Sequence, residues 1–475
     1  MQFKPFFINS NICLESRDIL SFDTFMNAIA GNTGNAYITY ALIKELCGGL
    51  KKINHIQNIY TYDFNNADKD IDTINNECSH CFLILQDQIR ISESYGLQLP
   101  YENIINFIKR INKPIIIAGL GANSFNGFQS DFHKQLKPEL IDFLKFLSDN
   151  CKQIGIRGHF TEEVLHNIGI KNVNVIGCPS FFEMGRDRII NKKSKINTES
   201  ILLSSGFPLL MENNHLIMQD FCEGKFIKAT GFNDFRDGFC DFEINKMMKK
   251  QYHVFSNISD WQKFISQFNF TIGYRLHGSI CSLNVGVPAM CCNGDSRATE
   301  MCNYLKIPHN PNITQDTDII KLYEELDYSE LNNIYPQRYD NFEKFLNNND
   351  LELFKGEIKN EIEQPSLLQY QCNNSFDTNL MLAQNYTHAQ AANQELKNII
   401  IDLQQKSNEL SQQIAVITDI ATKSLNETYV IKNNLQEYIG RPTFCQQIFS
   451  VRNVGGGGHK VLRLLGIKFK FRRIR

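Results

Sequence analysis

Short apolar runs alternate with amphipathic helical segments through most of the first 310 residues. Residues 82–85 and 114–118 are apolar at nearly every position, which is typical of strands buried on both faces of a parallel sheet. Residues 140–147 instead carry apolar side chains at helical spacing, as a helix covering such a sheet would. This alternation predicts the α/β fold class.

The alternation forms two series, separated by a polar stretch at residues 191–200. The second series opens with a strand predicted within residues 201–206 and includes a weaker strand candidate at residues 226–229. Two series predict two Rossmann-like, doubly wound lobes with a ligand cleft between the carboxyl ends of their strands. We place these lobes at residues 1–190 and 191–355.

Residues 356–440 are predicted to form a helical extension, within which apolar residues recur in a heptad pattern. One core position holds Ile400, Ile414, Ala421 and Leu435, and the other holds Leu396, Leu403, Leu410, Ile417 and Ile431. Ser407, Ser424 and Thr428 weaken the repeat. The pattern predicts a coiled coil and hence a homo-oligomer, and the alternative is a long helix docked on the lobes.

The charge is distributed unevenly, which argues against a nucleic-acid binder. The chain has a net charge of −2, yet residues 438–475 contain nine Lys and Arg residues and no acidic residue. The first 437 residues therefore carry a net charge of −11. We expect the basic tail, residues 441–475, to contact an anionic membrane surface or, equally, to pack on the protein.

Several features favour a cytoplasmic location. The amino terminus lacks the long apolar core of a signal peptide, and no run of about eighteen apolar residues occurs. We therefore expect the 14 cysteines to be free thiols. Cys78-Ser79-His80-Cys81 has metal-like spacing but no second pair at a suitable distance, so we predict no metal site.

A strand, turn and helix predicted around Gly273 carry the strongest chemical signal. Residues 270–272 are apolar and β-prone, Gly273 interrupts them, and apolar residues then recur at helical spacing. This places Arg275 and His277 at the carboxyl end of a strand and the amino end of a helix, where anions are favoured. The pair can hold a phosphate or carboxylate and move a proton, or it can simply cap a helix and pack in a core.

Other candidates lie at similar turns. Arg157 and Arg297 each follow a predicted strand and are further candidate anion ligands. A loop with Asn32, Gly34 and Asn35 opens a helix and would let backbone approach a ligand closely. The helix before Gly273 is predicted to be capped by Ser259, with Gln262 completing the capping box.

Taken together, these segments resemble the polysaccharide pyruvyl transferase family. The matching pieces are Asn32-Thr33-Gly34-Asn35, Gly119-Leu120-Gly121-Ala122, Ile156-Arg157-Gly158, Gly177-Cys178-Pro179-Ser180, Arg275-Leu276-His277-Gly278 and Gly286-Val287-Pro288. They occur in the family's order over roughly residues 20–310. The family's first motif usually ends in Asp, where this chain has Asn35.

The resemblance implies two lobes in a glycosyltransferase-B-like arrangement and transfer of a pyruvyl group from phosphoenolpyruvate to a sugar as a ketal. His277 would then act as general acid/base or phosphate partner, and Arg275 and Arg157 as anion clamps, with Arg297 a weaker clamp. Gly121 and Ser204, each at the end of a predicted strand, complete the candidate substrate-binding set. The donor is a substrate, so no cofactor and no metal is expected.

Two other functions stay open at the level of sequence. One is a glycosyltransferase that uses a nucleotide sugar in the same cleft during surface-glycan assembly. The other is a non-catalytic assembly module in which the coiled coil is the working part.

Overall fold

A computed structural model describes residues 3–12, 30, 32–49, 53–91, 99–124, 127–204, 211, 213–219, 251–356, 375–436, 449–453, 459–464 and 467–472. The chain forms two compact units, Met1–Tyr386 and Thr387–Arg475. The strand candidate at residues 226–229 lies outside the described residues.

The strands of the first unit are short and mostly buried. They are β1 (Pro5–Ile8), β2 (Asn54–Ile56), β3 (His80–Leu83), β4 (Ile89–Arg90), β5 (Ile115–Ile116), β6 (Ala122–Asn123), β7 (Ile154–Ile156), β8 (Val173–Val175), β9 (Ile201–Ser204), β10 (Leu216–Met218), β11 (Tyr252–Val254), β12 (Phe270–Gly273) and β13 (Ala289–Cys291).

Helices alternate with these strands. They are α1 (Thr33–Cys47), α2 (Asp68–Glu77), α3 (Tyr101–Lys109), α4 (Pro138–Asn150), α5 (His159–Asn167), α6 (Ile258–Ile265), α7 (Leu276–Asn284), α8 (Ser296–Leu305), α9 (Ile319–Glu325) and α10 (Ser329–Asn348). Short 3-10 turns occur at Phe64–Asn66, Phe132–Gln135, Pro179–Phe182 and Thr198–Ser200.

The first parallel sheet has the strand order β2-β1-β3-β5. The smaller parallel pair β7-β8 continues it, because the Gly155 amide donates to the Ile117 carbonyl at 2.9 Å and Leu120 forms a bridge with Ile156. Strands β4 and β6 form a further parallel pair. From β1 the chain continues to β2 on one side, whereas β3 and β5 lie on the other side, so the strand order reverses between β1 and β3. In α/β sheets, ligands bind at the carboxyl ends of the two strands between which the order reverses.

The second parallel sheet has the order β11-β10-β9-β12-β13. Every residue of β9, β12 and β13 is buried, which explains why their sequences are apolar on both faces. The order reverses between β9 and β12, which therefore mark the ligand edge of this sheet. The two parallel sheets with their covering helices confirm the predicted α/β class.

Local signals at two helix ends gave different results. Gly48 ends α1 in the left-handed conformation with φ 64°, as its glycine suggested. The predicted cap at Ser259 was wrong, because α6 begins at Ile258 and the Asn257 side chain accepts from the Asp260 amide at 3.0 Å. Gln262 instead donates to Glu183 Oε2 at 2.7 Å, in a buried polar cluster that joins α6 to α1.

The carboxy-terminal part contains one long helix and one sheet. Helix α11 (Ser375–Gln436) has 62 residues. Strands β14 (Phe449–Asn453), β15 (His459–Leu464) and β16 (Ile467–Arg472) form an antiparallel sheet in that order. Among the described helices, none combines the length and apolar character needed to cross a bilayer.

Candidate active site

The turn between β12 and α7 packs directly on the end of β9. Gly273 pairs with Ser204, and a Cβ atom on Gly273 would lie 2.0 Å from the Ser204 carbonyl oxygen. A Cβ atom on Gly278 would lie 1.9 Å from Ser204 Oγ. The Arg275 amide donates to the Ser204 carbonyl at 3.2 Å. Both glycines are therefore required sterically, and they bring the amino end of α7 to the ligand edge of the second sheet.

Ser204 stabilises this turn through hydrogen bonds. Its side chain is fully buried, and its hydroxyl donates to the Arg275 carbonyl at 3.3 Å and accepts from Gln219 Nε2 at 3.4 Å. The structure thus brings Ser204 next to the predicted catalytic pair and shows its hydroxyl bonded within the protein.

His277 is half-buried between elements from both sheets. Its Nε2 atom lies 3.6 Å from Cys178 Sγ, beyond the end of β8. On the other side, a Cβ atom on Gly34 would approach His277 Nδ1 to 2.9 Å, so only glycine fits the first turn of α1 at this position. Gly34 and His277, which are far apart in the sequence, therefore lie against each other.

The charges around His277 oppose its protonation. Burial lowers the pKa of His277 to about 3, and the positive charges of Arg157, Arg297 and Arg275 contribute, while Asp87 partly offsets them. The imidazole of the ligand-free protein is consequently neutral at physiological pH. An unperturbed histidine has a pKa of about 6.5, and the lower pKa here comes first from burial and then from the nearby arginines.

Arg157 is the most deeply buried cation of the site, with 1% of its surface exposed. Its Nε donates to the Gly119 carbonyl at 2.9 Å, but its Nη2 atom has no hydrogen-bond partner among the described residues. Gly121 permits this placement, since a Cβ atom there would lie 2.7 Å from Arg157 Cδ. A buried guanidinium with an unused donor is costly, and an anionic ligand would satisfy it.

Arg297 is held by two carboxylates. Its Nη1 donates to Asp87 at 3.1 Å and its Nη2 to Asp295 at 3.0 Å. Burial would raise the pKa of Asp87, but the charges of Arg297, Arg157 and Arg90 outweigh it and lower the pKa to about 2. Arg297 is thus in the site, but its charge is already partly compensated. Asp87 was missed in the sequence, although the two polar residues Gln86 and Asp87 after the apolar run at residues 82–85 were the available signal.

The opening loop of α1 serves partly as a helix cap. Asn32 Oδ1 accepts from the Asn35 amide at 3.2 Å, and the Thr33 amide donates to the Gln219 carbonyl at 2.8 Å. The side-chain amide of Asn35 is half-buried and makes no hydrogen bond to any residue in the described parts of the chain.

A second buried carboxylate, also missed in the sequence, joins α8 to α5. Glu300 accepts from the Thr161 amide at 2.9 Å and from its hydroxyl at 2.7 Å. Burial raises the pKa of Glu300 to about 7, although these hydrogen bonds and Arg157 oppose the rise. The Ser296 amide donates to the Ser124 carbonyl at 3.2 Å nearby, which links the start of α8 to the residue after β6.

Comparison with known proteins identifies the family of the chain. A crystal structure of a functionally uncharacterized protein from Klebsiella pneumoniae subsp. pneumoniae NTUH-K2044 is 13% identical in sequence, and the match covers 63% of this chain and 88% of that chain with a TM-score of 0.32. No curated protein matches the chain. The family model for polysaccharide pyruvyl transferase matches residues 32–296, which is more than half of the chain and includes Asn32, Arg157, Arg275 and His277. The chain is therefore a transferase that belongs to the polysaccharide pyruvyl transferase family.

Proposed function

We propose that the protein transfers a pyruvyl group from phosphoenolpyruvate to a sugar of a bacterial surface polysaccharide or its lipid-linked precursor, forming a ketal. The observation that carries this proposal is the convergence of Arg157, Arg275 and Arg297 on His277 at the carboxyl ends of both sheets. The unused Nη2 donor of buried Arg157 also favours an anion at this position.

The donor's charges match this site. Phosphoenolpyruvate carries a carboxylate and a phosphate on one carbon, and arginine binds both groups through paired, charge-assisted hydrogen bonds. Arg157 and Arg275 are the proposed donor clamps, since the charge of Arg297 is shared with Asp87 and Asp295. The amino end of α7 supplies further backbone donors to the same anion.

The reaction requires two proton movements. Two sugar hydroxyls form C–O bonds to C2 of phosphoenolpyruvate while its bond to phosphate breaks. One hydroxyl proton ends on the methylene carbon, which becomes a methyl group, and the other leaves with phosphate. His277 is neutral before the donor binds, so it can accept a proton first. The negative charge of the donor then favours the imidazolium, which can pass that proton on.

The proposed site lies between two lobes in a glycosyltransferase-B-like arrangement, residues 1–190 and 191–355. Two parallel sheets with facing carboxyl ends support this arrangement. Gly34 and Arg157 would come from one lobe, and Arg275, His277 and Arg297 from the other. Neither lobe alone would then assemble the reactive groups.

The test compares phosphate release from phosphoenolpyruvate by wild type and His277→Ala, with free or lipid-linked glycan as acceptor. We expect acceptor-dependent release in wild type and a loss of about 10²–10⁴-fold in the variant, which is the usual contribution of a general acid/base. His159→Ala is the control, because this exposed histidine pairs with Glu162 on α5. Equal rates for wild type and His277→Ala would refute the role of His277, and stabilisation by a nucleotide sugar instead of phosphoenolpyruvate would favour a glycosyltransferase.

We further propose that α11 forms a homo-oligomeric coiled coil and that the enzyme works in the cytoplasm at the inner face of the membrane. The leucines and isoleucines at the core positions between residues 396 and 417 are strongly exposed in the single chain, from 50% at Ile400 to 63% at Ile417. Such exposure of large apolar side chains along one helix favours burial against a second copy. The basic residues near the carboxyl terminus support contact with anionic lipid.

A further inference from the structure

A group of buried and half-buried polar side chains beside the proposed donor clamps is not used in the donor contacts proposed above. Gln86 and Asp87 follow β3, and Asn123 ends β6. Gln86 and Asn123 are 5% and 4% exposed. Gln86 also has a φ of 54°, an unusual conformation for a residue with a side chain and one that occurs preferentially at functional sites. The group lies at the ligand edge of the first sheet, where β1 and β3 are neighbours.

Each of these side chains has an unused polar atom. Gln86 Nε2 and Asn123 Oδ1 are buried and have no partner among the described residues. Asp87 accepts from Asn123 Nδ2 at 2.9 Å and from Arg297 Nη1 at 3.1 Å, and both bonds go to Oδ2. Within the described chain, Oδ1 accepts no hydrogen bond. The group therefore offers a ligand one hydrogen-bond donor, an amide nitrogen, and two hydrogen-bond acceptors, an amide oxygen and a carboxylate oxygen.

These hydrogen-bond donors and acceptors determine which kind of ligand can bind. A second anion is disfavoured, because the Asp87 carboxylate would repel it. A neutral polyol fits, since each hydroxyl can donate to a carboxylate or amide oxygen and accept from an amide nitrogen. Buried polar atoms without partners carry a free-energy cost that such hydroxyls would remove.

We propose that Gln86, Asp87 and Asn123 form the acceptor subsite, in which Asp87 Oδ1 accepts a hydrogen bond from a hydroxyl of the sugar that receives the pyruvyl group. The inference rests on the proposed function and adds the location of the acceptor. The pKa of Asp87, about 2, makes this carboxylate a weak base. Asp87 therefore orients the hydroxyl, and the proton passes to His277.

The experiment measures donor and acceptor separately in wild type and Asp87→Asn. Donor affinity is measured by calorimetry with phosphoenolpyruvate. Acceptor KM is measured by phosphate release with methyl hexopyranosides that have free 4- and 6-hydroxyls. We expect acceptor KM to rise about 10- to 100-fold, as for loss of a hydrogen bond to a charged group. Donor affinity should stay equal or increase, because a negative charge near the clamps has been removed.

Asp340→Asn is the matched control, because Asp340 also pairs with an arginine, Arg186, at 2.6 and 2.9 Å, on a helix that carries no proposed site residue. Asp340→Asn should leave the affinity for phosphoenolpyruvate and the acceptor KM unchanged. If Asp87 only held Arg297 in place, Asp87→Asn would weaken donor binding with acceptor KM unchanged, and the inference would be wrong. Absence of phosphate release in wild type would instead contradict the proposed function itself.

Discussion

His277 is surrounded by more positive charge than Asp87 can offset, and this imbalance gives the site a definite pH dependence. Because burial and three arginines lower the pKa of His277 to about 3, the unfolded chain binds a proton below about pH 6.5 that the folded protein does not. The ligand-free protein should therefore lose stability as the pH falls from about 6.5 towards 3. An anion bound in the site would offset the positive charges and raise the pKa of His277.

Sulfate binding provides the test of this coupling, because sulfate itself does not titrate in this range. If the bound anion raises the pKa of His277, binding takes up a proton, and affinity for sulfate rises as the pH is lowered from 8 to 5. The rise approaches about tenfold per pH unit below the pKa of the complex. Calorimetry with sulfate at several pH values measures it.

His277→Gln should abolish most of this pH dependence. Glu300, with a pKa raised to about 7, titrates in the same range, and its protonation would also favour an anion. Glu300→Gln is therefore the control, and it should retain the dependence that His277 causes. A wild-type affinity that is constant from pH 8 to 5 would show that His277 does not sense the bound anion.

At the scale of single elements, α11 offers a direct test of the proposed coiled coil. Ile417 occupies a predicted core position and is 63% exposed, whereas its neighbour Val416 lies off the core and is 59% exposed. Loss of a buried isoleucine from each of two chains costs about 1.5–3 kcal/mol per chain. Ile417→Asn should therefore weaken self-association at least about 100-fold, as measured by sedimentation equilibrium.

Val416→Asn removes a similar exposed apolar side chain and should leave the oligomer intact. A monomeric wild type, or equal effects of the two substitutions, would contradict the coiled coil. Ile417 and Val416 are almost equally exposed in the single chain. Comparing the two variants therefore distinguishes a specific coiled-coil interface from nonspecific hydrophobic association.

At the scale of the whole molecule, the proposed membrane contact concerns the basic carboxy-terminal sheet. Strand β16 alternates apolar with basic residues, and its register pairs Leu462 with Phe469 and Arg463 with Lys468. In sequence, the apolar and basic residues of this strand therefore occupy alternate positions. Such a sheet suits an anionic membrane surface.

Binding to vesicles containing phosphatidylserine tests this idea. Lys468→Gln with Lys470→Gln should weaken co-sedimentation about 30-fold, since each basic residue contributes on the order of 1 kcal/mol at such a surface. Lys406→Gln with Lys423→Gln removes the same charge from α11, where each lysine already pairs with an aspartate, and should have little effect. Equal losses in the two variants would point to net charge rather than to this sheet.

Local patterns in the sequence were sufficient for the fold class and for part of the site. Apolar runs such as residues 201–203 and 270–272 predicted buried parallel strands, because burial on both faces leaves no room for polar residues. The turn at Gly273 likewise predicted Arg275 and His277 at a strand end, since strand, glycine and helix signals are all local. The cap of α6 was missed, because Asn257 and Ser259 are both good caps and only the path of the chain selects one.

Only the tertiary structure decided what surrounds His277. Gly34, Cys178 and Arg157 are 243, 99 and 120 positions away in sequence, and no local pattern indicates that they meet one imidazole. The pKa of His277, the ion pair of Arg297 with Asp87 and the unused donor of Arg157 all depend on this convergence. Burial and charge are sums over neighbours in space, so they exist only once the two sheets have brought their carboxyl ends together.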